Sequence, residues 1–196
     1  APSIRHHDGM FYVYIPSFKA GGLFVAKAEN PEGPWDVVHM TDMNGKVIDQ
    51  LITDPCPFWD DDGKAYLIFS AVAAGSDLDS GARKGYPMVL CQMSEDGTQL
   101  LDLDASSNEK MIETGTVVYN IANTEASKIY KRNGYYYLFN CDFAWHSPQG
   151  AGSYMKRSRY IYGEHEDGTP GTPGNPGKYE IRYLGNGCPL QGGLID

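Results

Sequence analysis

Two acidic residues stand at matching places in this sequence. Asp54 opens the run Asp54-Pro-Cys-Pro-Phe-Trp-Asp-Asp-Asp-Gly-Lys-Ala-Tyr-Leu67, and Glu125 opens Glu125-Ala-Ser-Lys-Ile-Tyr-Lys-Arg-Asn-Gly-Tyr-Tyr-Tyr-Leu138. Each lies nine residues before a turn glycine, Gly63 and Gly134 respectively. Two carboxyl groups facing one another across a small cavity can cleave a glycosidic bond. One protonates the leaving oxygen and another carboxylate acts near the anomeric carbon, with about 6.5–9.5 Å between acid and base when a water must fit between them. A lone Asp-Pro or Thr-Glu before a strand is usually a turn or a solvated edge, and it is the matched placement in two copies of one pattern that weighs against that reading. Asp60, Asp61 and Asp62 look like a catalytic or calcium cluster, but they occupy a turn and read as a solvated hairpin tip. His6 and His7 precede a turn and read as solvent-facing. The five histidines show no metal-ligand spacing, so no metal and no cofactor is implied.

Positioning such carboxylates requires regular strands, and the turn chemistry supplies them. Asn-Gly or Asp-Gly pairs occur at 8–9, 44–45, 62–63, 96–97, 133–134, 167–168 and 186–187. Such pairs favour the type I′ hairpin, in which both central residues take positive φ. Short β-rich runs follow several of them, including Phe11–Ile15, Ala65–Phe69 and Tyr135–Phe139. No window of about 12 residues keeps a 3.6-residue period without a turn signal interrupting it. The chain therefore reads as all-β and built of hairpins.

Three hairpins are copies of one another: Ala1–Tyr14, Asp54–Leu67 and Glu125–Leu138, each a strand, an Asx-Gly turn and a return strand bearing Tyr. Their turn glycines, Gly9, Gly63 and Gly134, stand 54 and then 71 residues apart, about the length of one four-stranded propeller blade with a generous loop. A β-sandwich would explain the hairpins but not their repetition. The heads of equivalent innermost strands in a propeller converge on the central axis, which would bring Asp54 and Glu125 together. The loop Asp142-Phe-Ala-Trp-His146 should rim the same cavity, where Trp145 could stack on a sugar face and His146 bond a hydroxyl; packing of these residues on their neighbours is the equal alternative. The Pro- and Gly-rich stretch 167–177 reads as a surface loop between two strands of one blade.

Composition narrows the partners. A formal charge of −9 and a pI near 4.9 argue against nucleic acid, which calls for clustered Lys and Arg. No basic amphipathic run or apolar stretch of about 20 residues points to a membrane. Cys56, Cys91, Cys141 and Cys188 are widely spaced and read as free or buried thiols.

These runs, with Ala1-Pro-Ser-Ile-Arg5, Asn30-Pro-Glu-Gly-Pro-Trp35, Arg157-Ser158, Ile161-Tyr-Gly163 and the closing Gln191-Gly-Gly-Leu-Ile-Asp196, resemble glycoside hydrolase family 43 in order along the whole chain. The resemblance implies a five-bladed β-propeller, an inverting mechanism and three essential carboxylates. It matches Glu125 to the general acid and Asp54 to the carboxylate that orients the acid and keeps it protonated. It places the general base in the first blade, upstream of Ala1, and Asp8, in its hairpin turn, is no substitute. Residues 1–196 are thus expected to form a partial β-propeller catalytic domain, roughly blades two to four and the start of blade five. The missing blades would come from the rest of the chain or from a partner chain. Ala126-Ser127 stands where Gly-Pro often follows the acid, and Glu164-His165 where Pro-Tyr is common, which leaves the sugar open. The expected activity is release of xylose or arabinofuranose from plant hemicellulose or its oligosaccharides, outside the cell or in the periplasm. An endo-acting arabinanase is a variant of this reading. A carbohydrate-binding propeller without a general base is the alternative, and a protein-binding scaffold has the least support.

Overall fold

A computed structural model describes residues 2–71, 86–119, 124–142 and 152–186. The first sheet holds β1 (Ser3–His7), β2 (Met10–Ser17), β3 (Gly22–Ala28) and β4 (Asp36–His39). The second holds β5 (Ile52–Trp59), β6 (Ala65–Ala71), β7 (Met88–Met93) and β8 (Thr116–Tyr119), with a short helix α1 (Asn108–Thr114) before its last strand. The third holds β9 (Thr124–Arg132), β10 (Tyr135–Asp142), β11 (Gly152–Ser158) and β12 (Glu180–Asn186). Each sheet is an antiparallel meander in sequence order, and β5 packs against both β1 and β9. These are three blades of a β-propeller with the copied hairpins innermost, as the repeat predicts; a two-sheet sandwich is excluded.

The turn pairs divide into two kinds. Asp8-Gly9 and Asn133-Gly134 take positive φ at both residues and close two-residue loops, as expected of type I′. At Asn44-Gly45, Asp62-Gly63, Asp96-Gly97 and Asp167-Gly168 only the glycine is left-handed. There the glycine N–H returns to the carbonyl three residues back, as from Gly63 to Asp60 at 3.1 Å, and the loop is longer. The helix escapes the periodicity test because it has seven residues, started by Ser107, whose hydroxyl accepts the Lys110 N–H.

Burial explains why the blades stack. In β6 the run Ala-Tyr-Leu-Ile-Phe-Ser-Ala is buried at every position. Its alternate residues face two different layers: Ala65, Leu67, Phe69 and Ala71 meet the first sheet, while Tyr66 and Ile68 meet the third. A strand covered on both faces is apolar at both phases of the pleat. Pro55 and Pro57 are tolerated in β5 because it is the edge strand of its sheet, where a missing N–H costs little. The 167–177 stretch does lie between β11 and β12, and it is pinned: Gly171 and Gly177 donate to Gly163 O and Tyr162 O, and Gly174 donates to the buried Thr116 hydroxyl of the second blade at 3.0 Å. Cys56 and Cys91 are buried as thiols, and Cys188 lies outside the described residues.

Two sequence expectations are corrected. Asp61 and Asp62 are exposed, but the Asp60 side chain is only 3% exposed. It accepts from Lys131 Nζ at 2.5 Å and from the Tyr136 hydroxyl, both in the third blade, so it clamps two blades at their turn ends. His7 is stacked on Trp59 of the second blade, with ring centroids 4.7 Å apart, and only His6 faces solvent. The bond to Asp60 pushes the Lys131 ammonium above the ordinary lysine range. Its contribution is therefore complete at neutral pH and is lost as pH rises from the ordinary lysine value through the raised one. Asp60→Ala should cost about 2–3 kcal/mol in a denaturation series on the full-length protein, since charged hydrogen bonds are lost from a buried site. Asp61→Ala should stay within about 0.5 kcal/mol; equal effects would contradict the clamp.

Candidate active site

The two matched carboxylates belong to the heads of β5 and β9, and each head carries a bulge. In the second blade Thr53 pairs with Ser70 and Cys56 with Ile68, so Asp54 and Pro55 together face Phe69. In the third, Glu125 pairs with Cys141 and Lys128 with Phe139, so Ala126 and Ser127 together face Asn140. In each bulge the first residue is left-handed, Asp54 at φ 52° and Ala126 at φ 58°. Asp54 is thus the structural counterpart of Ala126, and Glu125 that of Thr53. The equal count of nine residues to the turn glycine is offset by one in space. The cause is the turn: Asp60 pairs back to Lys64, leaving residues 61–63 as the loop, whereas Asn133-Gly134 alone closes the other hairpin.

That offset produces a direct contact. The Ala126 N–H donates to Asp54 Oδ2 at 2.6 Å, bridging the two blades. Glu125 is the next residue, half-buried, while Asp54 is 9% exposed. Beside them the interblade layer turns polar. From turn end to head, β5 presents Phe58, Cys56 and Asp54; β6 presents Tyr66, Ile68 and Ser70; β9 presents Ile129 and then Ser127; and β10 presents Tyr136, Leu138 and Asn140. The Ser70 and Ser127 hydroxyls meet at 3.1 Å, and Thr53 Oγ1 donates to Ser70 O at 3.2 Å. Lys156 of β11, fully buried, donates from Nζ to Asn140 Oδ1, and its ammonium stands 3.5 Å from the centroid of the Tyr119 ring. Sequence reasoning missed Ser70, Ser127, Asn140 and Lys156. The available signal was phase: Asn140 follows Tyr136 and Leu138 at the buried period of its strand.

Trp145 and His146 lie outside the described residues. Two clefts among the described residues are open surfaces at the turn ends, one of about 480 Å³ beside His7, Tyr12 and Asp96, another of about 460 Å³ beside Tyr135, Arg157 and His165. Neither is lined by Asp54 or Glu125, and neither gathers acid–base groups from several strand heads. Among the described residues no three His, Cys, Asp or Glu side chains are grouped to hold a metal ion.

The family model described as glycosyl hydrolases family 43 matches residues 1–175. The chain belongs to that family. A protein of Xylanibacter ruminicola, provisionally named a β-xylosidase, is 36% identical over 200 residues, covering all of this chain and 30% of that protein. A β-xylosidase of Formosa agariphila is 33% identical over 140 residues, or 71% of this chain and 21% of its own length. The chain thus spans less than a third of either relative. The fold also matches the crystal structure of an endo-arabinase from Bacteroides thetaiotaomicron, with a TM-score of 0.62 at 15% identity, over 95% of this chain and 62% of that one.

The backbone at Ala126 is left-handed, a conformation that costs a residue with a Cβ roughly 1 kcal/mol. Ala126→Gly should therefore stabilise the full-length protein by about 1 kcal/mol, read as a higher thermal midpoint, with the bond to Asp54 kept. A lower midpoint would mean that the bulge is not held as described.

Proposed function

We propose that this chain is the central part of an inverting glycoside hydrolase that releases xylose or arabinofuranose from plant hemicellulose or its oligosaccharides. The observation that carries the reading is the hydrogen bond from Ala126 N–H to the Asp54 carboxylate, which keeps Glu125 beside Asp54 at the joined heads of two inner strands. Glu125 is the general acid. Its carboxyl proton passes to the glycosidic oxygen as the bond from that oxygen to the anomeric carbon breaks. Asp54 fixes the backbone next to the acid and supplies a negative charge near it. Water attacks the opposite face of the sugar and gives its proton to a third carboxylate, the general base, so configuration inverts.

Residues 1–196 would then be roughly blades two to four and the start of blade five of the catalytic propeller. We place the base in the remaining part of the protein, since the relatives run to more than three times this length. The blades beyond these residues would cover the outer faces of the first and third sheets, where Ile4, Val37 and Tyr130 are exposed. Trp145 and His146 are the candidates for sugar contact. A polymeric plant substrate favours action outside the cell or in the periplasm, and no helix among the described residues is long and apolar enough to cross a membrane.

The test is Glu125→Gln in the full-length protein, assayed on xylo- and arabino-oligosaccharides. Turnover should fall by about 10²–10⁴-fold, the usual share of acid catalysis, while calorimetry still detects sugar binding. Unchanged turnover would sink the assignment. Sugar binding with no turnover in the unmutated full-length protein would favour a binding propeller instead.

A further inference from the structure

The buried polar layer contains a donor that neither the proposed chemistry nor a neighbour among the described residues uses. Asn140 is 3% exposed and sits on β10 opposite Ala126 and Ser127, the bulge that follows Glu125. The fully buried Lys156 ammonium donates to its Oδ1. An ammonium has donors and no acceptor, so this contact fixes the amide in one orientation and commits Nδ2 to a different direction. Nδ2 is buried and has no hydrogen-bond partner among the described residues. A buried donor is costly to leave unmade, and an amide locked by a buried cation cannot flip to relieve it. Its nearest strand partners are the bulge residues that carry the Asp54 contact, and Cys141, the next residue on its own strand, pairs with Glu125.

We infer that Asn140, locked by Lys156, is a positioning residue for the Glu125 acid. This rests on the reading of Glu125 given above. Lys156 holds the amide, and Nδ2 supplies a donor to the carboxylate-bearing layer when substrate is bound, so that the bulge presents Glu125 in a single geometry. A displacement of about 1 Å at such a group can cost about 10²-fold in rate.

The experiment uses the full-length protein and two variants. Asn140→Asp keeps the shape and still accepts from Lys156 but removes the Nδ2 donor. Lys156→Met keeps the buried stem but frees the amide to turn. Both should keep a thermal midpoint close to that of the unmutated protein. Each should lose about 10–100-fold in kcat on an aryl glycoside, with KM within about twofold. Should Lys156→Met fail to fold, Asn140→Asp decides alone. Unchanged kcat in Asn140→Asp would reduce the pair to a structural role and overturn the inference. A raised KM at unchanged kcat would also overturn it, by making Asn140 a sugar contact. Glu125→Gln, run in parallel, separates the two levels: if it leaves turnover intact, the assignment of the acid fails before that of its support.

Discussion

The hydrogen bond from the Ala126 N–H to the Asp54 carboxylate is the point on which the site depends. It joins the heads of β5 and β9, strands that belong to different blades and share no sheet hydrogen bonds. It exists because both strands bulge at the same level and because one hairpin loop is a residue longer than the other. That extra residue moves Asp54 out of register with Glu125 and into line with Ala126. A carboxylate that accepts a backbone N–H from the adjoining blade fixes the position of the following strand as firmly as it fixes itself. Glu125 is one peptide away, so any movement of the blades against each other is felt at the proposed acid.

The layer between the second and third blades is graded to support this. Its middle is apolar, with Ile68, Leu90, Ile129 and Leu138 fully buried. Its turn end is closed by Asp60, Lys131 and Tyr136, and its head by Asp54, Ser70, Ser127, Asn140 and Lys156. Apolar packing favours stacking of the blades but leaves their relative slide weakly specified, because it is non-directional. Directional polar contacts at the two ends set that slide. The apolar layer accounts for the stability of the pair of blades, and the polar ends account for a defined distance between strand heads.

Much of this was legible in the sequence because the relevant signals are local. Asx-Gly pairs gave the hairpins, and the three copied runs gave the blades and identified β1, β5 and β9 as equivalent inner strands. The pairing of Asp54 with Glu125 by counting was close but one residue out. Loop length depends on whether the residue before glycine also takes positive φ, and Asp-Gly allows either outcome. Asp60 was misread as solvated because its partners, Lys131 and Tyr136, lie more than 70 positions away and reach it only through blade packing. Lys156 was passed over for a similar reason: a lysine flanked by Met155 and Arg157 looks like an exposed strand residue until Tyr119 and Asn140 are brought against it.

The central claim is that Asp54 and Glu125 serve an inverting cleavage, and the configuration of the first-formed product tests it most directly. Proton NMR of the full-length protein acting on an aryl β-xyloside or aryl α-arabinofuranoside would record the anomer before mutarotation. Inversion predicts that the opposite anomer, α-xylose or β-arabinofuranose, is released first. First release of the same anomer as the substrate would require a covalent intermediate and would contradict the roles given to Glu125 and Asp54.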